Sequence, residues 1–295
     1  MKGIRISREN LMFNTINSFL LLLFTLTCLF PLINLFAKAV SSETAVIRGE
    51  IFLLPKGFQL ESIFYMLSQK GFQTSFFNSV FVTGIGTVLH IAVTASAAYS
   101  FSRKTFAGKR FLQFIIIFTM LFGGGTIPTF IVMQRLGLME NLWALILPAV
   151  AIPFHLILMR NYFEGIPDSL EESAKIDGAG NFRIFISIML PLALPCVAAL
   201  AVFSAVNHWT EYFNPLMYLH KRDNFTLQLF LRQLLSNVER STNLLNFSQL
   251  RGLKNRAPMI IQSAAVFLTT FPILVVYPFL QKYFVKGVSL GAVKG

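Results

Sequence analysis

A cluster of polar and aromatic side chains at 207–214 has the types of group that bind a small molecule without reacting with it. The cluster consists of Asn207, His208, Trp209, Glu211, Tyr212 and Asn214. Amide and carboxylate groups hydrogen-bond hydroxyls, and aromatic faces cover C–H surfaces, so this mixture suits a carbohydrate. The cluster also ends a strongly apolar stretch, where aromatic residues commonly form an interfacial belt. Lining of a substrate path and an interfacial belt both remain open.

The sequence contains no recognisable residues for covalent, ATP-dependent or metal chemistry. No G-x-x-x-x-G-K-[ST] phosphate loop, nucleophile–base constellation or metal-ligand spacing occurs in it. Cys28 and Cys196 both lie in apolar stretches and form no C-x-x-C motif, so we expect two buried small hydrophobic residues. We therefore expect a chain that is not an enzyme and that binds no cofactor or metal itself.

The composition predicts an all-α integral membrane protein. Hydrophobic residues make up 55% of the 295 residues, charged residues 13%, and the mean hydropathy is +0.64. Soluble domains carry about 25% charged residues, and a membrane span needs about 20 apolar residues. Six such stretches are predicted, at 12–36, 76–100, 111–132, 143–160, 191–208 and 260–283. The fourth and fifth are short and contain proline, so their ends are the least sharply defined.

The positive charges predict that both termini face the cytoplasm. The net charge is +12, but the basic residues lie beside the apolar stretches, which is typical of membrane topology and not of nucleic-acid binding. Those on short segments are Lys2, Arg5, Arg8, Arg103, Lys104, Lys109, Arg110, Lys282, Lys286 and Lys294. Three parts are predicted: a cytoplasmic N-terminus at 1–11, a membrane domain at 12–283 and a cytoplasmic tail at 284–295. Within the membrane domain, loops 37–75 and 209–259 are predicted to be external and loop 161–190 to be cytoplasmic.

The cytoplasmic loop contains a helix, a glycine turn and a second helix. Asp168 is expected to cap the first helix, and Glu171 and Lys175 form an i,i+4 pair. Gly178 stands where a left-handed helix end is expected. One face of the first helix is small at its centre, so another surface could approach closely; it consists of Leu170, Ser173, Ala174 and Asp177.

This loop resembles the cytoplasmic EAA loop of permease subunits in bacterial ABC importers, E-A-A-x-x-D-G-A-x-x-x-x-x-F-x-x-I-x-L-P-x-x-x-P. The matching residues are Glu172, Ala174, Asp177, Gly178, Ala179, Phe185, Ile188, Leu190, Pro191 and Pro195, with Ser173 as the one departure. The six spans and the ending that starts at Tyr277 extend the resemblance to the whole chain. The chain is similar to the second permease of carbohydrate (maltose-type) importers, and it most resembles the subgroup for acidic oligosaccharides such as alginate. The type I importer permease fold is therefore expected.

The resemblance implies partners and residue roles. In such importers two different permeases form a heterodimer in the bacterial cytoplasmic membrane, an ATPase dimer holding ATP and Mg docks inside, and a solute-binding protein delivers the oligosaccharide outside. The permease then converts ATPase closure into alternating access. The residues expected at the ATPase are Glu171, Glu172, Ser173, Ala174, Asp177, Gly178 and Ala179 in the loop, and Lys286, Gly291 and Lys294 in the tail.

Two other classes of membrane protein are expected to carry sequence features that are only weakly present here. An ion-coupled secondary transporter is expected to carry ionisable residues in mid-membrane, and only His90 was expected there. A single histidine in a span more often makes an interhelical hydrogen bond than binds a ligand. A membrane enzyme would have to use the 207–214 cluster.

Two further features leave alternatives open. Gly123–Gly125, followed by Pro128, interrupts the third span and marks either a gate or an exit turn. The external loop before the sixth span is basic through Arg222, Arg232, Arg240, Arg251, Lys254 and Arg256. These charges favour a polyanionic substrate, and a solvated loop or one that docks an acidic binding protein explains them as well. A neutral oligosaccharide or disaccharide is the alternative substrate.

Overall fold

The computed structural model describes the backbone of residues 8–103, 106–243 and 258–291, and the side chains of 12–103, 106–236 and 259–276. The regular structure of these residues is helical. The helices are α1 (Arg8–Ala39), α2 (Glu43–Ile47), α3 (Glu61–Ser68), α4 (Lys70–Ser102), α5 (Lys109–Leu121), α6 (Thr126–Arg135), α7 (Trp143–Ile146), α8 (Pro153–Glu164), α9 (Asp168–Ile176), α10 (Asn181–Ile184), α11 (Leu190–Leu192), α12 (Leu194–Thr210), α13 (Phe213–Tyr218), α14 (Leu227–Asn243) and α15 (Pro258–Gly291).

Among the described residues, three helices are long and apolar enough to cross a membrane alone, and three bent helix pairs could each form one more span. The long ones are Met12–Ala39 within α1, all of α4, and Met259–Val276 within α15. Together they account for the six predicted spans, by length and composition.

The bends in the three pairs follow the glycine and proline residues of the sequence. α5 and α6 meet at 115°, the segments on either side of 150–152 meet at 46°, and those on either side of Ala193 meet at 79°. The predicted interruption of the third span is confirmed at Gly125, whose φ of +80° is a conformation that glycine adopts without a steric penalty. Pro153 begins α8 directly after the second bend, because proline lacks the amide hydrogen that a continuing helix would need.

The first compact unit is formed by described residues within 1–69 and 233–271. Most of α1 is exposed, as expected for a helix whose apolar surface faces lipid. The end of α1 packs into a small cluster with the predicted external loop 37–75 and the start of α15. The members of this cluster are Ala37, Ala45, Val46, Ile51 and Ile260. Asn34 Nδ2 donates a hydrogen bond of 2.7 Å to the carbonyl of Phe52, which fixes that loop against the helix.

The second unit, formed by described residues within 70–232 and 272–291, is built around α4. α4 packs against α12 and α8 along its length. The approach to α12 is close at Gly86, where an added Cβ would lie 2.5 Å from Nε2 of His208. Towards the predicted cytoplasmic end, one core cluster joins α4, α8, α9, the segment before α12 and α12 itself. Its largest members are Tyr99, Met159, Phe163, Ile184, Phe185, Met189 and Leu200.

Between α10 and α11 the backbone forms a π-helical turn at Phe185–Met189. Such turns contain one more residue than an α-helical turn and often occur at functional positions. Phe185 and Met189 are both buried in the core cluster of this unit. The turn therefore lies in the segment that leads from the cytoplasmic loop into the fifth span.

Several boundaries differ from the sequence-based ones. α4 begins at Lys70, six residues before the predicted second span, because a helix can continue past the apolar stretch into polar surroundings. α9 begins at Asp168 with Pro167 as its N-cap, so the prediction that Asp168 caps this helix is wrong. The backbone of α15 continues to Gly291 without a break at the predicted start of the tail, 284.

Candidate functional site

The helix α9 is held against the protein by a carboxylate on its inner face. Glu171 is only 7% exposed, although it belongs to a charged helix outside the apolar spans. Its Oε1 lies 2.8 Å from Nζ of Lys175, which confirms the predicted i,i+4 pair. Its Oε2 forms an ion pair with Arg103. A buried carboxylate is stable only when such partners compensate its charge.

Arg103 follows the last turn of α4, so this ion pair links the central helix to α9. The guanidinium lies 4.7 Å from the ring centroid of Tyr99 and donates to the hydroxyl of Ser102 at 2.9–3.0 Å. These contacts fix the guanidinium from the α4 side. The spacing of the sequence does not reveal this pair, because its members are 68 positions apart (171 − 103).

The turn after α9 has the hydrogen bonds of a Schellman motif, a standard helix ending. The amide of Ala179 donates to the carbonyl of Ala174 at 2.9 Å, and that of Gly178 to Lys175 at 3.0 Å. Gly178 has φ +78°, which confirms the predicted left-handed residue. The turn thereby sets the direction in which α10 leaves.

The outer face of this segment carries apolar side chains that the protein does not cover. Ile176 is 86% exposed, Phe182 78% and Leu170 43%. Glu172, Ser173 and Asp177 are exposed beside them. Together these six residues are called the docking face below. Such apolar side chains outside the spans are typical of a surface that a partner protein covers.

Ala174, which the sequence places on the small-centred face of this helix, is turned towards the protein. Ala174 is 8% exposed and belongs to the core cluster with Ile184 and Phe185. Its small size lets α9 approach the second helix of the loop. Glu171 is also turned inward, so two of the residues expected at the ATPase are buried in this chain. The contact of the others with an ATPase stays a prediction.

A second charged group links two helices at the same predicted cytoplasmic level. Glu164 at the end of α8 lies 2.9 Å from Lys109 at the start of α5 and 2.8 Å from Arg160 one turn before it. Sequence reasoning did not identify this group, although the i,i+4 spacing of Arg160 and Glu164 is a usable signal.

The 207–214 cluster divides into structural and exposed members. His208 and Trp209 are 7% and 8% exposed; His208 packs on Gly86, and the Trp209 ring lies 6.1 Å from that of Phe76. Glu211 accepts hydrogen bonds from the amides of Phe213 at 2.7 Å and Asn214 at 3.2 Å, so it caps α13.

Asn207 and Tyr212 are the exposed members of the cluster, and Asn214 is half-buried. The guanidinium of Arg232, on α14, lies 4.9 Å from the ring centroid of Tyr212. A cation, an aromatic face and an amide are therefore accessible at the end of α12. Their role in lining a path stays a prediction. Of the basic loop residues, Arg251, Lys254 and Arg256 lie outside the described residues, as does the side chain of Arg240.

A carboxylate links the segment between the third and fourth predicted spans to the predicted external loop 209–259. Glu140 adopts φ +58° and accepts from the amides of His220 at 2.8 Å and Lys221 at 3.1 Å. Its own carbonyl accepts from Nδ2 of Asn224 at 2.7 Å. Burial alone would raise the pKa of Glu140, but these amides and the His220 ring outweigh it and hold the pKa below the usual value.

The histidine expectation is confirmed in one respect and wrong in another. His90 makes the expected interhelical hydrogen bonds, to the carbonyl of Val150 at 3.0 Å and to His155 at 2.8 Å. It is not the only ionisable residue in a span, because His155 lies on α8 within the predicted fourth span. Within the ranges of described residues, no group of three or more His, Cys, Asp or Glu could hold a metal ion.

The side chains of the predicted tail contacts lie outside the described residues. Lys286 and Gly291 fall on the backbone of α15, whose side chains are described only to Val276. Lys294 lies outside the described residues.

A family model described as a binding-protein-dependent transport system inner membrane component matches residues 6–290. The polygalacturonan/rhamnogalacturonan transport system permease protein YtcP of Bacillus subtilis (strain 168) is 39% identical over 97% of this chain and 100% of its own length. The arabinooligosaccharides transport system permease protein AraQ of Halalkalibacterium halodurans is 31% identical over 90% of this chain and 91% of its own.

A solved structure shows the same architecture. One chain of a bacterial ABC transporter involved in the import of the acidic polysaccharide alginate superimposes with a TM-score of 0.85 at 34% identity, covering 94% of this chain and 98% of that one. Six potential spans within the described residues, an exposed apolar face after the fourth and a family match over residues 6–290 agree. This chain therefore belongs to the family of inner membrane components of binding-protein-dependent transport systems, the permease subunits of ABC importers.

Proposed function

We propose that this chain is one of two permeases of an ATP-driven importer that takes up acidic oligosaccharides through the bacterial cytoplasmic membrane. The observation that carries the coupling part is the docking face, whose exposed Ile176 and Phe182 stand on a segment fixed by the Glu171–Arg103 ion pair. An ATPase subunit that covers this face would move a rigid element and not a loose loop.

The helix α9, which carries most of the docking face, is connected directly to two other helices of the second unit. α9 follows α8 after three residues, and Glu171 links it to the end of α4. Movement of α9 is therefore passed to two spans at once. For coupling, the ATP-bound and ATP-free states of the ATPase must favour different packings by a few kcal/mol. ATP and Mg are bound by the ATPase partner in this proposal, and a second permease and a solute-binding protein complete the importer.

The acidic substrate rests on the relatives and on the outer residues. YtcP is named for polygalacturonan, a polymer of a sugar acid, and the superimposed transporter imports the acidic polysaccharide alginate. In this chain the guanidinium of Arg232 lies over the ring of Tyr212, and Asn207 is exposed near the end of α12. A guanidinium can pair with a carboxylate while the aromatic ring covers a sugar face.

A neutral oligosaccharide is the second candidate, and one observation favours it. AraQ, which is 31% identical, is named for arabinooligosaccharides. In that case Tyr212 and Asn207 would contact the sugar, and Arg232 would only support the tyrosine.

The test is ATP hydrolysis by the reconstituted importer in proteoliposomes, stimulated by its binding protein. The binding protein is loaded with oligogalacturonides, alginate oligomers, arabinooligosaccharides or oligogalacturonides whose carboxyl groups have been reduced to alcohols. The reduced oligomer is the matched control, because it keeps chain length and linkage and loses only the charge. Stimulation by the acidic oligomers alone supports the proposal. Equal stimulation by the reduced form supports the neutral candidate, and stimulation by none of the four contradicts both.

A further inference from the structure

The fourth span is broken at 150–152, and a single residue of α4 contacts both sides of the break. A 3₁₀ turn, Leu147–Ala149, follows α7, and α8 starts at Pro153. The helix is interrupted at 150–152, so the carbonyls just before the break lose their regular helical partners, and Pro153 has no amide hydrogen to offer that of Ala149. In a bilayer, backbone groups freed in this way must find other partners.

His90 supplies such a partner. It is 0% exposed, and its Nδ1 lies 3.0 Å from the carbonyl oxygen of Val150, the residue that ends the first half of the span. A carbonyl only accepts, so Nδ1 carries the hydrogen. Nε2 of neutral His90 is then an acceptor, and Nδ1 of His155, 2.8 Å away, donates to it. His155 belongs to the first turn of α8, directly after the break.

We propose that His90 is a positioning residue that sets the 46° bend of the fourth span, and through it the direction of α8 and of the docking helix α9. This inference rests on the proposed function, because it assigns the bend a part in coupling. The two bonds act on opposite sides of the break, at Val150 before it and at His155 after it. If both are removed, the angle between the halves is no longer fixed from α4. α8 can then move without carrying α4 along.

Three substitutions separate the two bonds. His90→Phe keeps a ring of similar size and loses both. His90→Asn keeps a donor close to the position of Nδ1 and loses the bond to His155, whereas His90→Gln keeps a group close to the position of Nε2. Thr94→Val is the matched control, since Thr94 lies one turn away on the same helix and contacts Nδ1 only at 3.5 Å.

The first measurement does not depend on transport. Spin labels are placed at Leu147 and Asn161, which are exposed on either side of the break, in the assembled complex with Cys28 and Cys196 replaced. Electron–electron double resonance then reports the distance between them without nucleotide. We expect one narrow distribution for the unmodified histidine and for Thr94→Val, a broader or shifted one for His90→Phe, and intermediate ones for His90→Asn and His90→Gln. A distribution that His90→Phe leaves unchanged would overturn the inference.

The second measurement is the ratio of binding-protein-stimulated to basal ATP hydrolysis. A net hydrogen bond changes an equilibrium by about two- to twelvefold, and His90→Phe removes two such bonds, so we expect this ratio to fall by about fivefold or more in that variant. Rescue of more than half of it by His90→Asn or His90→Gln supports positioning, because simple filling of the site would favour Phe. An unchanged ratio in His90→Phe overturns the inference. If the unmodified complex shows no stimulation, the proposed function fails, while the distances still decide whether His90 sets the bend.

Discussion

Arg103 and Glu171 form an ion pair between the end of α4 and the inner face of α9. Tyr99 and Ser102 hold the arginine, and Lys175 holds the other oxygen of the glutamate. The docking helix is therefore attached to the central helix of its unit by a charged contact, in addition to its apolar packing. A charged contact has a defined geometry, so it passes on a displacement more faithfully than a sliding apolar one.

We predict that Glu171→Gln separates ATP hydrolysis from transport. The amide keeps the size of the side chain but leaves Arg103 without its charge partner, at a cost of about 2 kcal/mol, since the arginine keeps partial exposure. Asp168→Asn is the matched control, because it neutralises an exposed carboxylate of the same helix that is not part of the docking face. Transport per ATP hydrolysed should fall several-fold in the first variant only. Equal effects of the two would mean that the ion pair has no special part.

The turn at Gly178 provides a test that involves backbone strain alone. Its φ is +78°, and an added Cβ would meet no atom within 4 Å, so only the conformation opposes a side chain. Gly178→Val should cost about 1–2 kcal/mol and reduce binding-protein-stimulated hydrolysis. Gly178→Asn should retain more of it, because asparagine tolerates this conformation better.

Gly180→Ala is the control for that turn, since Gly180 has φ −71° and open space around it. It should leave activity unchanged. If Gly178→Val is equally silent in membranes that contain normal amounts of the complex, the Schellman turn has no role in coupling.

The N-in, C-in topology predicts opposite accessibility for two exposed positions of the second unit. Cysteines at Ser173 and Arg222, in a background without Cys28 and Cys196, should react with a membrane-impermeant maleimide from opposite sides. In intact spheroplasts only the cysteine at 222 should be labelled, and disruption should expose the one at 173. Labelling of both in intact spheroplasts would contradict the six-span arrangement.

The contact between Glu140 and residues 220–221 should depend on pH. Its folded-state pKa is lowered, so the carboxylate stabilises this contact above its usual pKa of about 4.5 and the contribution is lost as the pH falls through the lowered value. Hydrogen exchange of the His220 and Lys221 amides, corrected for the intrinsic effect of pH, should become faster below pH 4.5. Glu140→Gln should show the faster exchange at neutral pH as well, and protection that Glu140→Gln leaves intact would contradict this assignment.

The apolar periodicity and the punctuation by glycine and proline predicted most of the fold. The six stretches, the interruption at Gly125 and the left-handed Gly178 follow from local properties of the chain. The bends at 150–152 and at Ala193 coincide with prolines that made those spans look short. The boundaries of the helices were harder to predict, because the hydropathy of a stretch does not show where a helix ends after it leaves the apolar layer.

The site was predictable where it depends on neighbours in sequence and not where it depends on distant residues. The pair Glu171–Lys175 follows from helix geometry, whereas Arg103–Glu171 and Glu140–His220 join positions far apart in the chain. The same limit explains Ala174, because helix periodicity shows which residues share a face but not what that face meets. His155 is a different case, since its place in the predicted fourth span, 143–160, follows from the sequence alone.

The π-helical turn at Phe185–Met189 bears on which insertions and deletions this family of sequences can tolerate. Removing one residue there would restore ordinary α-helical hydrogen bonding, so helix formation itself would not oppose the loss. It would, however, rotate the loop side of the segment by about 100° relative to α12, one residue's share of a 3.6-residue turn. Phe185 would then leave its position beside Tyr99 and Phe163, and the docking face would turn with it. A chain shortened by one residue here would keep its six apolar stretches and yet present a different surface where the ATPase is proposed to bind.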